Sequence, residues 1–175
     1  PIDIGHKIWY NIKMEKLYYS WSDLETDCRI ITREMAIEGY KPDVVIGPGR
    51  GGYPMGVMMS HYFNVPFEGF NWQTRDGKIE DSTTLLNILS KYNGTSILIV
   101  DDINDTGTTL NGICKVIEDF DVDNNNLMIK AHQDITVCTL FNKTMSSFKN
   151  VDYYARECTP DYDPWIVFPY EEWWI

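Results

Sequence analysis

Three aspartates stand close together after an apolar run, and a glycine-containing turn follows them. Residues 97–100 are apolar and typical of a buried strand. Asp101 and Asp102 come next, and Asp105 follows three residues later. The turn at 106–109 supplies three threonine hydroxyls and the amides of a predicted helix N-terminus, which suit a monophosphate. Because adjacent carboxylates repel phosphate unless they bind sugar hydroxyls or a divalent cation, the pattern predicts a phosphorylated-sugar site. The alternative is a solvated acidic turn with an ordinary threonine N-cap.

A second glycine-bearing loop follows an earlier apolar run at 44–46. Residues 47–52 match the pattern G-x-G-x-x-G of dinucleotide-binding proteins, and Glu68 lies near the expected position of a ribose-binding acid. However, Arg50 occupies the turn where a dinucleotide needs close backbone approach. An arginine flanked by glycines suits a compact diphosphate, bound by side-chain and main-chain donors together. Dinucleotide binding and a glycine-rich turn without a ligand stay open as alternatives.

Hydrophobic periodicity places both loops at the ends of strands that alternate with helices. Ser22 and Glu25 fit a capping box, and the apolar spacing after them predicts a helix that stops at Gly39. Pro54 fits the first turn of the helix after the glycine loop. Further elements are predicted as follows: a strand at 67–71, a helix at 83–91, a strand at 97–100, a helix at 110–117, a solvated connection at 119–126 and a strand at 135–141. This alternation predicts a parallel α/β sheet with ligands at the strand carboxyl ends.

Length and charge limit the organisation of the chain and its partners. Its 175 residues suit one domain, and 15 Lys and Arg against 26 Asp and Glu give a formal net charge of -11. Nucleic acids and anionic membranes attract clustered cations, so we expect neither as a partner. No apolar run approaches the ~20 residues of a membrane span and no signal-type sequence opens the chain, so we expect a cytoplasmic protein.

The segment Ile97-Leu98-Ile99-Val100-Asp101-Asp102-Ile103-Asn104-Asp105-Thr106-Gly107-Thr108-Thr109-Leu110 resembles the phosphoribosyl-diphosphate (PRPP) signature of the type I phosphoribosyltransferases. Four other segments resemble the xanthine-guanine group of that family: 18–24, the diphosphate loop at 47–52, the purine-facing strand end at 139–143 and the base-binding hood at 165–171. The resemblance spans about 18–174. It implies a parallel central sheet flanked by helices, with a small hood formed by segments of about 1–20 and 145–175.

The implied activity is transfer of the 5-phosphoribosyl group from PRPP to a 6-oxopurine, giving a nucleoside monophosphate and diphosphate with Mg²⁺ as cofactor. On this resemblance, Asp101 and Asp102 would bind the ribose hydroxyls, directly or through Mg²⁺. Asp105 would face N7 of the purine as general acid or base. Arg50 and the amide of Gly51 would hold the diphosphate. The 5′-phosphate would be bound by the turn residues Thr106, Gly107, Thr108 and Thr109.

The resemblance also assigns the residues that contact the base. Lys143 would donate to the exocyclic O6, Trp165 would stack on the base, and the main chain of Ile166 would read the purine edge. Glu171 lies near a position where the family often has a metal-associated carboxylate. Because a lysine offers only donors, Lys143 suits an oxo group and favours hypoxanthine, guanine or xanthine over adenine. A surface role for Lys143 and a core role for Trp165 are the alternatives.

The sequence departs from the family before the PRPP signature. The flexible loop, about 72–82, lacks the usual Ser-Tyr pair, and Thr74 and Arg75 are candidates to replace it. A non-catalytic PRPP-binding regulator is the main alternative function, but it should carry a DNA-binding module or a basic face. A metal-dependent phosphohydrolase would need Asp-x-Asp at the strand end, and from Asp102 the third position is Asn104. Since relatives are commonly dimers or tetramers, we expect a homo-oligomer.

Overall fold

The computed structural model of the chain describes residues 15–73, 79–126 and 134–174, with only the backbone described at 79 and 121–126. Thr74 and Arg75 therefore lie outside the described residues. The elements in the described ranges are β1 (Lys16–Tyr18), α1 (Trp21–Ile37), β2 (Val44–Pro48), α2 (Gly49–Phe63), β3 (Phe67–Phe70), β4 (Trp72–Gln73), β5 (Ile79–Glu80), α3 (Ser82–Lys91), β6 (Ser96–Asn104), α4 (Thr108–Asn126), β7 (Asp134–Lys143), β8 (Tyr153–Cys158) and β9 (Trp165–Val167).

The central sheet contains five parallel strands in the order β3-β2-β6-β7-β8. β2 is buried along its whole length, as is typical of parallel strands covered on both faces. Val45 and Leu98 pack in one apolar cluster with residues of α1 and α2. Ile46 and Ile99 pack in a second cluster with residues of α3 and α4. The prediction of a parallel α/β sheet flanked by helices is confirmed.

β6 extends further than its apolar run predicts. The expected polar loop after Val100 is strand as far as Asn104, because β6 continues to pair with β7. In that pairing Asp101 is opposite Thr139 and Asn104 is opposite Asn142. The first two carboxylates of the acidic cluster therefore lie on a strand and not on a loop. Their backbone is fixed by the sheet.

Two helices begin earlier than the sequence indicates. α1 starts at Trp21 with Ser20 as N-cap, so the capping box at Ser22 is wrong. The observed box joins Ser20 to Asp23, whose carboxylate accepts a hydrogen bond from the Ser20 amide at 3.0 Å. α2 begins at Gly49, so Pro54 lies inside the helix and not in its first turn. Gly49, Gly51 and Gly52 of the predicted loop thus lie in the first turn of α2, whereas Gly47 belongs to β2. Gly51 and Gly52 allow this turn to pack closely against Asp102 and Val100 of β6.

α4 is longer than predicted. The expected solvated connection at 119–126 is helical to Asn126. Phe120 favours the extension, since it packs against the second apolar cluster, to which Ile117 belongs, and continues the inward face of the helix. No helix in the described ranges is both long and apolar enough to cross a membrane.

The N- and C-terminal parts of the described chain meet in a separate two-stranded sheet. β1 pairs in parallel with β9, and Leu17 is opposite Ile166. β8 does not belong with them, although the expected hood segment at 145–175 includes it. It pairs with β7 as the fifth strand of the central sheet. On the C-terminal side, the two-stranded sheet therefore begins only at Trp165.

Candidate functional site

A cavity of about 880 Å³ lies at the carboxyl ends of the central strands. Ligands bind at this edge in open parallel α/β sheets. All residues predicted for PRPP line it: Arg50, Gly51, Asp101, Asp102, Asp105, Thr106, Gly107, Thr108 and Thr109. The residues predicted for the base and for metal line it too: Lys143, Trp165, Ile166 and Glu171. The structure thus brings together segments that are far apart in sequence.

Asp101, which is buried, and Asp102, which is half-buried, form an acidic pair near the end of β6. The Asp102 amide donates to Oδ1 of Asp101 at 3.1 Å. Burial and the neighbouring Asp102 charge raise the pKa of Asp101 well above its usual value. Burial raises the pKa of Asp102 to about 6, although a hydrogen bond from Tyr170 opposes that shift. A cation or sugar hydroxyls at this point would stabilise the ionised carboxylates, because both are favourable partners for negative charge.

The N-terminus of α2 faces this acidic pair. A Cβ added at Gly51 would lie 2.6 Å from Oδ2 of Asp102, so only glycine fits against the carboxylate. Pro48, the N-cap residue, provides no side-chain hydrogen bond to the first turn. The first amides of the helix and the Arg50 side chain are thus suited to an anion, as predicted for the diphosphate.

The turn predicted to bind phosphate has a conformation that requires its glycine. Gly107 has φ +85°, and a Cβ there would lie 2.4 Å from the amide nitrogen of Phe148. The Thr106 and Thr108 hydroxyl oxygens are 2.9 Å apart. Ser147 supports the turn from behind, since its amide and its hydroxyl both donate to the Thr106 carbonyl. The turn is therefore shaped before a ligand binds.

A buried amide lies beneath the same turn. Asn104 is 1% exposed, and its Nδ2 donates to Oδ1 of Asn142 at 2.8 Å and to the Phe148 carbonyl at 3.0 Å. Its Oδ1 accepts from the Ser146 hydroxyl at 2.7 Å. These bonds join the end of β6 to the end of β7 and to the segment that supports Gly107. Asn104 lies in the predicted signature, but sequence reasoning gave it no role.

Lys143 lines the same cavity and lies between two carboxylates. Its Nζ is 2.8 Å from Oδ1 of Asp105 and 2.8 Å from Oδ1 of Asp163. Burial lowers the pKa of Lys143, but the two carboxylates outweigh that effect and the pKa is raised. Sequence reasoning missed Asp163, because nothing in its local sequence reveals an ion pair with a residue 20 positions earlier.

The C-terminal segment contributes aromatic and apolar residues to the cavity. The Trp165 amide donates to the Glu15 carbonyl at 2.8 Å, and the Trp165 side chain is 43% exposed. Ile166 is buried in β9. Tyr170, which the sequence placed in the hood motif without a role, stacks on Phe168 with ring centroids 5.5 Å apart and an interplanar angle of 8°. A planar base could lie against this aromatic wall.

The carboxylates that line the cavity suit a metal ion that is shared with substrate phosphates. In the described part of the chain, no group of three or more His, Cys, Asp or Glu side chains is arranged to hold an ion. Asp101, Asp102 and Glu171 therefore do not form a three-ligand group, and Glu171 accepts a hydrogen bond from the Phe168 amide at 3.0 Å. Mg²⁺ is commonly bound by one or two carboxylates together with substrate phosphates. The Asp101–Asp102 pair fits that form of binding.

The dinucleotide alternative is not favoured by the position of Glu68. The Glu68 carboxylate pairs with Lys91 and accepts a hydrogen bond from the Tyr92 hydroxyl, both near the end of α3. It is not among the residues that line the cavity. Fold and site together define a protein of the parallel α/β class whose cavity brings together residues suited to a phosphorylated sugar and residues suited to a planar ring.

Comparison with known proteins identifies the family. Residues 18–172 match the phosphoribosyl transferase domain, so the chain belongs to that family of transferases. It is 26% identical over 187 aligned positions to hypoxanthine-guanine phosphoribosyltransferase of Schizosaccharomyces pombe, with 89% of each chain covered.

Solved structures agree with this family. A purine phosphoribosyltransferase from Pyrococcus horikoshii is 26% identical, with a TM-score of 0.67 and coverage of 91% of this chain and 95% of that one. Xanthine-guanine-hypoxanthine phosphoribosyltransferase of Helicobacter pylori has the same fold, with 21% identity, a TM-score of 0.66 and coverage of 90% and 95%. The resemblance to the type I phosphoribosyltransferases that the sequence indicates is confirmed.

Proposed function

We propose that this protein transfers the 5-phosphoribosyl group from PRPP to a 6-oxopurine and releases a nucleoside monophosphate and diphosphate. The observation that carries the proposal is the position of Lys143. This donor-only side chain lines the same cavity as the residues of the PRPP signature, and its Nζ is 2.8 Å from Oδ1 of Asp105 within that signature. The named relatives act on purines, which supports a purine here.

PRPP would lie across the ends of β2 and β6. The turn from Thr106 to Thr109 would bind the 5′-phosphate through its amides and hydroxyls. Arg50 and the Gly51 amide would bind the diphosphate at the N-terminus of α2. Asp101 and Asp102 would bind the ribose hydroxyls, and they would also hold Mg²⁺ that arrives with the diphosphate. When bound, Mg²⁺ neutralises charge on the diphosphate and makes it a better leaving group.

The reacting groups follow from this placement. The bond from C1′ to the diphosphate oxygen breaks with its electron pair on the diphosphate, and a base nitrogen forms the new bond to C1′. Positive charge develops on the ribose ring as the old bond lengthens, and nearby carboxylates stabilise it. Asp105 would accept the proton that the base loses at N7.

Base selectivity would come from Lys143. Its ammonium group has three N–H donors and no acceptor, so it can bind the oxygen at position 6 but offers nothing to an amino group there. Trp165 would cover one face of the ring, and the main chain of Ile166 would contact its edge. No observation on the described residues favours the alternative of a non-catalytic regulator.

Diphosphate release tests the proposal directly. The protein is incubated with PRPP and Mg²⁺ and with each of hypoxanthine, guanine, xanthine and adenine in turn. We expect diphosphate release with at least one 6-oxopurine and little with adenine. Omission of Mg²⁺ should abolish release. If no purine gives diphosphate while PRPP still binds, the protein is a PRPP-binding regulator and not an enzyme.

Three further properties belong to the same proposal. We expect a homo-oligomer, dimer or tetramer, because such assemblies are common among relatives. We expect a cytoplasmic protein, and the net charge of -11 leads us to expect no nucleic-acid or anionic-membrane partner. Size-exclusion chromatography with light scattering tests the first property. Binding assays with DNA, RNA and anionic vesicles test the last.

A further inference from the structure

The ion pair between Lys143 and Asp163 has no part in the function proposed above. Lys143 comes from the end of β7, Asp105 follows β6, and Asp163 precedes β9. The Lys143 side chain is 15% exposed, and its Nζ is 2.8 Å from one oxygen of each carboxylate. The Lys143 ammonium group therefore links the carboxyl ends of the central strands to the segment that leads into β9 of the two-stranded sheet.

The backbone on both sides of Asp163 is fixed. Just before it, Thr159 and Tyr162 close a turn by two reciprocal hydrogen bonds of 3.1 and 3.0 Å. Just after it, Pro164 restricts the chain, and the Trp165 amide donates to the Glu15 carbonyl at 2.8 Å. The backbone that carries the Asp163 carboxylate is thus held at a defined position.

Asp163 lies outside the cavity that its partner lines. Lys143, Pro164 and Trp165 all line the cavity, whereas Asp163 does not. Asp163 is therefore linked to the cavity through its contact with Lys143. Asp105 differs, because it lines the cavity and can exchange contact with Lys143 for contact with the base.

We infer that Asp163 is a positioning residue for base recognition: it holds the Lys143 ammonium against the 6-oxo group of the purine while Asp105 faces N7. An ammonium group has three donors, so two carboxylates leave one donor for the base. Without Asp163, the Lys143 ammonium would pair with Asp105 alone, and the distance from Nζ to O6 would no longer be fixed. The same ion pair fixes the position of Lys143 relative to Trp165, which lies two residues after Asp163. This inference rests on the proposed purine transfer.

The test compares Asp163→Asn with Asp161→Asn. Asp161 is exposed on the neighbouring turn, so its variant removes the same charge close by without touching Lys143. We expect Asp163→Asn to raise KM for the 6-oxopurine about tenfold and to leave KM for PRPP within about twofold, as loss of one charge-assisted hydrogen bond predicts. Asp163→Glu should restore part of the base affinity. Asp161→Asn should behave as the wild type.

The outcomes separate this inference from the proposed function. If the wild type releases diphosphate and Asp163→Asn keeps the wild-type KM for the base, Asp163 does not position Lys143 and only the inference is lost. A rise in both KM values together with a lower melting temperature would assign Asp163 a general structural role and also overturn the inference. If the wild type releases no diphosphate with any purine, the proposed function fails, and the inference fails with it.

Discussion

The Tyr170 hydroxyl donates a hydrogen bond to Oδ2 of Asp102 at 2.6 Å. This bond connects the C-terminal segment to the acidic pair at the end of β6. The Tyr170 ring is fixed independently, because it stacks on Phe168. A carboxylate that is predicted to bind a ribose hydroxyl is thereby oriented by an aromatic side chain 68 positions later.

Tyr170→Phe should weaken PRPP binding about threefold to tenfold, since it removes one hydrogen bond to a carboxylate. The ring stacking on Phe168 is retained, so we expect little change in melting temperature. Isothermal titration calorimetry with PRPP and Mg²⁺ measures the effect. Tyr162→Phe is the matched control, because Tyr162 is 51% exposed and does not line the cavity. Equal PRPP affinity in both variants would contradict the orienting role of Tyr170.

Asp105→Asn should retain PRPP binding and lose most turnover, because an amide cannot accept the proton at N7. Loss of a general base typically lowers the rate by about 10²- to 10⁴-fold. Steady-state kinetics with hypoxanthine, together with a PRPP binding titration, separate the two properties. Asp161→Asn again controls for the change in charge. Unchanged kcat would remove Asp105 from the mechanism.

Lys143→Gln should reduce the preference for a 6-oxo over a 6-amino purine. A glutamine amide offers both a donor and an acceptor, so it no longer rejects adenine on hydrogen-bonding grounds. The ratio of kcat/KM for hypoxanthine to that for adenine should fall about tenfold or more. Lys115→Gln is the control, since Lys115 is exposed on α4 and pairs only weakly with Asp119 at 3.6 Å. An unchanged ratio would show that another group reads position 6.

Asp27→Ala should destabilise the fold without a specific effect on catalysis. Asp27 is 3% exposed, accepts a hydrogen bond from the Tyr19 hydroxyl at 2.6 Å, and pairs with Arg156 at 2.7 Å. Its removal leaves Arg156 and Tyr19 without that partner, and we expect a loss of about 2–4 kcal/mol in the free energy of unfolding, measured by urea denaturation. Glu25→Ala breaks only an exposed pair with Arg29 and should cost about 0.5 kcal/mol or less. Similar losses in the two variants would be inconsistent with this account.

The limits of local reasoning are visible at the helix starts. Ser22 and Glu25 fit a capping box as well as Ser20 and Asp23 do, and local sequence does not decide between them. Residues 47–52 look like a loop because glycines disfavour helices. In the structure Gly47 and Pro48 end β2, and residues 49–52 are helical because Gly51 and Gly52 permit close contact with Asp102 and Val100 of β6. Packing energy here outweighs intrinsic propensity.

The sequence by itself determined the parallel α/β class, the PRPP signature and the family, since these depend on short contiguous patterns: apolar runs, glycines at fixed spacing and adjacent carboxylates. Only the tertiary structure decided which distant residues complete the site. Asp163 reaches Lys143, Tyr170 reaches Asp102, and Asn104 reaches Ser146 across long stretches of chain. These contacts form because parallel strands bring their carboxyl ends to one edge of the sheet. No periodicity in the sequence encodes which side chains then face each other.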